Sequence, residues 1–293
     1  MERTWLTVDF DDIRHVPTAQ GHPTRSTKPV EHQGLSQAYK TGLEQFEAWL
    51  KSNHHPVTLF VIGDLLANEA FQHWLNRMLA AYDERLTVGC HGMTHRSWSA
   101  WPEDADGFSK ALGEATALLK KAAGANFRPW FRAPAGYVAP WMAEVLAKHD
   151  YRVDTSINPS WLVKKKAGKG NSWADVNAAM GSSNIIERAW LTRFSLPVNG
   201  PALTLFPLSL VAKGAWKRAP PVLMANEVIK AVEDSKVGLT TLYWHVLDHS
   251  KNNGTWQPPI GSAATDGLSS VAASDLGVLG VGFSGEVSIE EVH

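Results

Sequence analysis

The order of apolar segments along this chain most strongly constrains what it can fold into. Short apolar runs typical of buried β-strands alternate with amphipathic helical patterns at least five times. Strands that alternate with helices favour βαβ units with right-handed crossovers. The sequence therefore predicts an α/β protein built on a parallel sheet or barrel.

The predicted strands are mostly continuous apolar runs, as expected where helices cover both faces of a parallel sheet. Apolar stripes at helical spacing and capping residues such as Ser36 mark the helices between them. The predicted strands span residues 4–9, 57–62, 86–90 and 239–246. The predicted helices span residues 36–52, 64–81, 108–123, 140–149 and 226–235.

Three segments carry no regular periodicity. Residues 13–34 are rich in Pro, Gly, Gln and His and predict a long loop, which in a compact domain is usually functional or mobile. Residues 161–185 are irregular and basic and indicate a surface excursion. Residues 254–293 are Gly/Ser-rich and carry no assignment. We interpret residues 1–293 as a single domain, since α/β barrels often reach this length.

Composition excludes several classes of function. The formal net charge is −1, so the chain has no basic field for a nucleic acid. The one cysteine, Cys90, excludes an internal disulfide and a Cys-rich zinc cluster. No window approaches about 18 consecutive apolar residues, so no transmembrane helix is expected. The first residues lack the pattern of a signal peptide, which predicts a cytoplasmic location.

Polar groups follow the predicted strands where these end. In α/β folds with parallel strands, ligands bind at the carboxyl ends of the strands. Each of these ends offers titratable or charged groups, which predicts a site at this edge of the sheet. The strand ends read "DFDD" (9–12), "CHGMTH" (90–95), "FRAPAG" (131–136), "VDTS" (153–156) and "LYWHVLDH" (242–249).

His91 and His95 are candidate metal ligands. Two histidines four residues apart on one helical turn would point the same way, and imidazole is a common zinc ligand. A carboxylate from "DFDD" would complete a set of two histidines and one carboxylate, which leaves coordination positions open for water and substrate. The HxxxH spacing alone is weak, because the chain has 12 histidines.

In this order the motifs resemble the polysaccharide deacetylases with the NodB-homology domain, carbohydrate esterase family 4. The resemblance spans roughly residues 4–250 and implies a distorted (β/α) barrel. It implies a metal-dependent amide hydrolase that removes an N-acyl group from an amino sugar in a glycan or glycan precursor. The first candidate for the acyl group is N-acetyl. It rests on "TVDFDD", "HHPVTLFVIGDLL", "GCHGMTHRSW", "FRAPAG" and "YWHVLDH", with "VDTS" as the weakest match.

The resemblance also implies one bound divalent ion, with zinc as the first candidate and another transition ion as the alternative. It implies roles for individual residues as well. The implied metal ligands are Asp11, His91 and His95. The implied catalytic residues are Asp9 as general base, His245 as general acid, Arg132 as the residue that holds the base, and Asp154 behind Arg132.

Two assignments stay open at this point. The family's adjacent-pair motif would make Asp11 the base and Asp12 the ligand. We favour Asp9 and Asp11, because strand alternation puts them on the same side. His249 is the alternative to His245 as general acid.

The sequence departs from the family at Ala135, where an aromatic residue is usual, and in the long loop at 13–34. With a cytoplasmic location, a nucleotide-linked or lipid-linked N-acyl sugar fits better than an extracellular polymer. Two other hypotheses are a cyclic imide or ureide hydrolase on the same scaffold, and an inactive barrel that binds glycan.

Overall fold

The structure, a computed structural model, describes residues 2–25 and 34–261. Within these residues, strands alternate with helices in the predicted order. The strands are β1 (Arg3–Phe10), β2 (Val57–Val61), β3 (Leu86–Cys90), β4 (Phe127–Phe131), β5 (Val153–Asp154), β6 (Ile186–Glu187), β7 (Thr192–Arg193), β8 (Leu196–Pro197) and β9 (Leu239–His245). The helices are α1 (Gln37–Ser52), α2 (Glu69–Tyr82), α3 (Ala105–Ala123), α4 (Met142–Lys148), α5 (Trp173–Ser182), α6 (Leu208–Trp216), α7 (Val228–Val232) and α8 (Lys251–Gly254).

Seven of these strands form one parallel sheet in the order β6-β5-β4-β3-β2-β1-β9. The sheet curls into a half-barrel with helices around it. β7 and β8 form a separate antiparallel pair. The predicted fold class, an α/β protein with a distorted (β/α) barrel, is confirmed. β1 lies between β2 and β9, so the first and last strands of this sheet are neighbours.

β1 is buried on both faces, and its two faces have different roles. One set of alternate residues joins the main core beneath the helices, where the Phe10 ring packs edge-on against Phe46 of α1 with centroids 5.6 Å apart. The other set faces the interior of the half-barrel. The core set is Leu6, Val8 and Phe10, and the interior set is Trp5, Thr7 and Asp9.

Helix α1 begins where the sequence predicts. The Ser36 hydroxyl accepts a hydrogen bond from the Tyr39 amide at 3.0 Å and so caps the helix. The predicted helix over 64–81 is wrong at its start. Residues 63–67 form a 3-10 turn, and α2 begins only after Asn68, whose side chain caps the Phe71 amide at 3.1 Å.

The interpretation of residues 161–185 as irregular is wrong. This segment contains a 3-10 helix, Trp161–Ala167, and the helix α5, which Ser172 and Asp175 cap reciprocally. Only Val176 and Met180 of α5 are buried, so its apolar stripe is too sparse to stand out in the sequence.

The other unassigned segments are described in part. Of the predicted loop at 13–34, Ile13–His15 form a 3-10 turn and residues 16–25 form further turns, while 26–33 lie outside the described residues. Of the segment 254–293, residues 262–293 lie outside them as well. In the part of the chain that the structure covers, no helix has the length and apolar character needed to cross a membrane.

Candidate active site

A cavity of about 380 Å³ opens at the carboxyl ends of β1, β3 and β9. Predicted site residues from all three strand ends line it, as expected for parallel strands that end at one edge of a sheet. These residues are Asp9, Asp11, His91, His95 and His245. The structure thus brings together groups that are far apart in the sequence. For example, the Thr7 hydroxyl of β1 donates a hydrogen bond to the Leu242 carbonyl of β9, 235 residues away.

Asp9 is held from one side by Arg132. An Arg132 Nη1–H donates to Asp9 Oδ1 at 2.6 Å, and both side chains are buried. The second carboxylate oxygen, Oδ2, lies 3.9 Å from His91 Nε2. One oxygen of Asp9 is therefore engaged by the scaffold, while the other faces the cavity groups.

Arg132 is fully buried and is enclosed by aromatic rings. Its guanidinium carbon lies 4.3 Å from the centroid of the Phe60 ring, 4.9 Å from that of Tyr243 and 5.5 Å from that of Trp190. A buried charge is tolerated only when it is paired and hydrogen-bonded. The carboxylate of Asp9 satisfies this requirement, so Arg132 and Asp9 hold each other in place.

Asp11 lies two residues on and has a different environment. It is 4% exposed, and its Oδ1 has no hydrogen-bond partner among the described residues. Burial raises the pKa of Asp11 to about 6, and the Asp9 carboxylate adds to this against the opposing effect of His245. A buried carboxylate oxygen without a partner is rare in folded proteins and needs an explanation, such as a cation.

His91 and His95 converge through a turn. The prediction that they share one helical turn is wrong, because His91 follows directly after β3 and residues 91–97 are not helical. Gly92 has φ +82° and His95 has φ +56°, and these two left-handed residues fold the chain back so that the rings lie 4.9 Å apart.

Each imidazole is oriented by a hydrogen bond at Nδ1. His91 Nδ1 donates to the Arg132 carbonyl at 2.9 Å, and His95 Nδ1 donates to Gln20 Oε1 at 3.1 Å. These bonds favour the tautomer in which Nε2 carries the lone pair. Burial lowers the pKa of His91 to about 4 and that of His95 well below its usual value, so both rings are neutral.

Asp11, His91 and His95 could together hold a metal ion. Each offers one ligand atom, and the three atoms lie within 4.8 Å of one another. Two neutral imidazoles and the unpartnered oxygen of Asp11 fit the donor set that zinc prefers. The residues present therefore suit a divalent ion.

Asp12 has a structural environment instead. Its Oδ1 accepts from the Ile13 amide at 2.6 Å, and its Oδ2 accepts from the Ser36 amide at 2.8 Å. Asp12 thus ties the turn after β1 to the start of α1, and both of its oxygens are in use. This geometry favours the Asp9 and Asp11 alignment over the adjacent pair.

His245 lies across the cavity at the end of β9. Its Nε2 is 4.0 Å from Asp11 Oδ1, and its Nδ1 is 3.6 Å from Asp248 Oδ2. Burial alone would lower the pKa of His245, but Asp11 and Asp248 outweigh it and raise the pKa to about 9. The imidazole is 22% exposed, so a ligand in the cavity can reach it.

Two predicted candidates do not reach the cavity. His249 is fully buried, and its Nε2 accepts from the Trp244 indole at 2.9 Å, within the core. Asp154 is also fully buried, and its carboxylate accepts from the Ser156 hydroxyl at 2.7 Å and amide at 3.1 Å. Arg132 bonds Thr155, the residue next to Asp154, and the Arg132 charge lowers the pKa of Asp154 against the larger effect of burial.

Sequence reasoning missed several residues of the cavity. Arg25 comes from the segment after β1, as does Gln20, which bonds the cavity residue His95 without lining the cavity itself. Lys166 comes from the segment interpreted as a surface excursion. Trp190 and Tyr243 form an aromatic wall, with ring centroids 4.4 Å apart. No local periodicity marks these positions, because tertiary folding alone brings them to the cavity.

Residues 35–153 match the family model for polysaccharide deacetylase. This range contains the two cavity histidines and Arg132, in the order that the motifs predict. Over this range the chain is similar to the polysaccharide deacetylase family. The matched range does not include the acids after β1 or His245, whose place at the site rests on the geometry above.

Two relatives illustrate the family resemblance. The peptidoglycan deacetylase of Helicobacter pylori is 26% identical over 149 residues, which span 49% of this chain and 46% of that protein. The alignment thus covers about half the length of this curated relative. A crystal structure from Mycobacterium smegmatis, provisionally described as a polysaccharide deacetylase, covers 93% of this chain and 84% of its own, with a TM-score of 0.53 at 17% identity. That likeness supports the fold.

Proposed function

We propose that this protein is a metal-dependent deacylase that removes an N-acyl group, N-acetyl in the first place, from an amino sugar in a glycan or glycan precursor. The observation that carries the proposal is one cavity in which Asp11, His91 and His95 converge beside a carboxylate, Asp9, held by Arg132. The match of residues 35–153 to the family model for polysaccharide deacetylase supports the same reaction class.

The proposed ligands are Asp11, His91 and His95, and zinc is the ion that this donor set favours. A divalent ion bound there would polarise the acyl carbonyl and lower the pKa of a water molecule. The chain's own groups move the protons. Asp9 Oδ2 accepts the proton of the attacking water, while Arg132 keeps the carboxylate oriented.

His245 is the proposed general acid. Water adds to the acyl carbon, the C–N bond breaks, and His245 donates a proton to the departing amine, so the products are a carboxylate and an amino sugar. Asp248 supports this role, because its Oδ2 accepts the His245 amide at 3.0 Å and lies beside Nδ1. The aromatic wall of Trp190 and Tyr243 offers a surface for the sugar ring.

The test begins with the metal content of purified protein and with acetate release from N-acetylated sugars. We expect one divalent ion for each chain and release of acetate with the matching amine. His95→Ala is expected to lose the ion and turnover together. Unchanged metal content and activity in His95→Ala would refute the proposed site.

The same assays separate the other hypotheses. Hydrolysis of a cyclic imide or ureide without acetate release from any amino sugar would favour the imide hydrolase. Glycan binding without a bound ion or any hydrolysis would favour an inactive barrel.

A further inference from the structure

The wall of the cavity contains two cations that the proposed reaction does not use. Arg25 and Lys166 line the same cavity as the proposed metal ligands. The other charged residues of the cavity lining are accounted for. Asp9 pairs with the buried Arg132, Lys251 pairs with Asp248 at 2.5 Å, and Asp11 is a proposed metal ligand.

Lys166 is held in place within the wall. Its backbone carbonyl accepts from the Ser99 hydroxyl at 2.6 Å, and its ammonium donates to the Ala135 carbonyl at 2.6 Å. The ammonium also lies 5.3 Å from the centroid of the Tyr137 ring. An ammonium group has three N–H donors, so this bond leaves two for a ligand.

The surroundings of Lys166 are positive. Burial and then Arg25 lower the pKa of Lys166 to about 8, and no carboxylate among the described residues offsets them. His22 lies in the same positive surroundings, because burial, Arg25 and Lys166 all lower its pKa. Two like charges on one wall repel each other, and an anion between them would relieve that repulsion.

We propose that Lys166 and Arg25 bind an anionic group, a phosphate or a carboxylate, on the N-acylated sugar. The proposal rests on the proposed function, and it specifies the substrate as an acidic amino sugar. Phosphate and carboxylate oxygens accept the charge-assisted hydrogen bonds that lysine and arginine offer. These two residues would thus determine specificity without taking part in the hydrolysis.

Binding of reaction products tests the proposal without turnover. The probes are glucosamine, glucosamine 1-phosphate, glucosamine 6-phosphate and muramic acid, with calorimetric titration into the zinc-loaded full chain. The probes share the amine, so differences in Kd report the anionic group. At least one anionic probe should bind about tenfold or more tightly than glucosamine. The phosphate and carboxylate arms identify which anion is preferred.

Variants assign that preference to the proposed residues. Lys166→Met should weaken the preferred anionic probe about tenfold and leave glucosamine unchanged. Lys165→Met is the matched control, because Lys165 is the exposed neighbour in the same basic run and should leave every Kd within about twofold. If Lys166→Met does not fold, the exposed Arg25→Gln provides the same comparison.

The outcomes are distinct from those of the proposed function. Equal Kd values for glucosamine and all three anionic probes would overturn the anion site. An anionic preference unchanged in both Lys166→Met and Arg25→Gln would overturn it too, because the anion would then bind elsewhere, for instance at the zinc ion. Failure to release acetate from any N-acetyl sugar would instead refute the deacylase, while the binding comparison would still stand.

Discussion

Three carboxylates within four residues have three different sets of contacts. Asp9 is paired with Arg132, Asp11 has an unpartnered oxygen beside two imidazoles, and Asp12 binds backbone amides. We expect Asp9→Asn to keep the ion and the fold but to lower kcat by about 10²–10⁴, the usual scale for general acid–base catalysis. Asp11→Asn should lose the ion and the activity together.

The measurements are metal content, kcat and circular dichroism for both variants. Asp12→Asn is the control, since an asparagine retains capping ability and the side chain does not face the imidazoles. If Asp12→Asn lost the ion while Asp9→Asn remained active, the adjacent-pair alignment would be correct. Asp11 would then be the base and Asp12 the metal ligand.

His245 and His249 lie four residues apart and have opposite environments. His245 faces the cavity, whereas His249 bonds Trp244 in the core. His245→Ala should therefore lower kcat by about 10²–10⁴ with little effect on the melting temperature. His249→Gln should lower the melting temperature and leave kcat within about tenfold, less than the loss of a general acid. A near-normal kcat for His245→Ala would exclude it as the acid.

Single residues show where the sequence is informative and where it is not. Asp9, Asp11, His91 and His245 could be predicted, because each follows a recognisable strand. Lys166 could not, since it belongs to a run of three lysines of which only this one turns toward the cavity. The capping role of Asp12 was predictable only as one of two alternatives, because both alignments place acids in the same turn.

At the scale of elements, the segment after β1 contributes directly to the proposed metal site. Gln20 accepts the hydrogen bond from His95 Nδ1 at 3.1 Å and so orients a proposed ligand. Partners of this kind usually contribute about 10–100-fold to metal affinity. We expect Gln20→Ala to weaken zinc affinity by that factor while the fold remains intact.

Competition with a metal-sensitive dye would measure this affinity. Gln20→Glu provides a rescue, because a carboxylate can also accept from Nδ1. If Gln20→Ala bound zinc as tightly as the wild type, Gln20 would not be needed to orient His95.

β5 and β6 place two acids side by side. Asp154 and Glu187 are register partners, and burial together with the Asp154 carboxylate raises the pKa of Glu187 well above its ordinary value of 4.5. The folded state therefore binds this proton more tightly than the unfolded state. The resulting stability is fully present below pH 4.5 and is lost as the pH rises through the raised pKa.

Glu187→Gln removes this ionisation and can still donate to Asp154. The variant should be more stable than the wild type at pH 8 by on the order of 1 kcal/mol, the equivalent of one pKa unit, and the advantage should shrink at pH 5. Urea unfolding at both pH values measures the difference. A stability difference between Glu187→Gln and the wild type that is the same at pH 5 and pH 8 would contradict a raised pKa of Glu187.

Element prediction succeeded where local patterns are strong. β2 is a run of five buried residues, and α1 has a capping serine and a wide apolar stripe. β6 has only two residues and α5 buries only two, so neither produces a readable period. The pairing of His91 with His95 was right for the wrong reason, because backbone conformation at Gly92 depends on contacts outside the local sequence.

For the whole molecule, alternation of strands and helices was enough to predict a parallel sheet or barrel, and the family resemblance specified the barrel. The position of β9 beside β1 was not derivable from local patterns, since strand neighbours are set by packing between distant segments. The family resemblance supplied that relation indirectly, by implying that an early acid and a late histidine meet in one site.

The pairing of β1 with β9 has a consequence for how the protein is made. Thr7 and Leu242 bond across 235 residues, so a ribosome releases β1 long before the strand that completes its second edge exists. Until then β1 has an open edge, which can pair with other chains. Contacts between such distant segments also form slowly. The proposed site therefore cannot be complete on the nascent chain until the end of the sheet is made, since the proposed proton donor, His245, is the last residue of β9. We expect a chaperone that shields β1 during translation to raise the yield of folded protein.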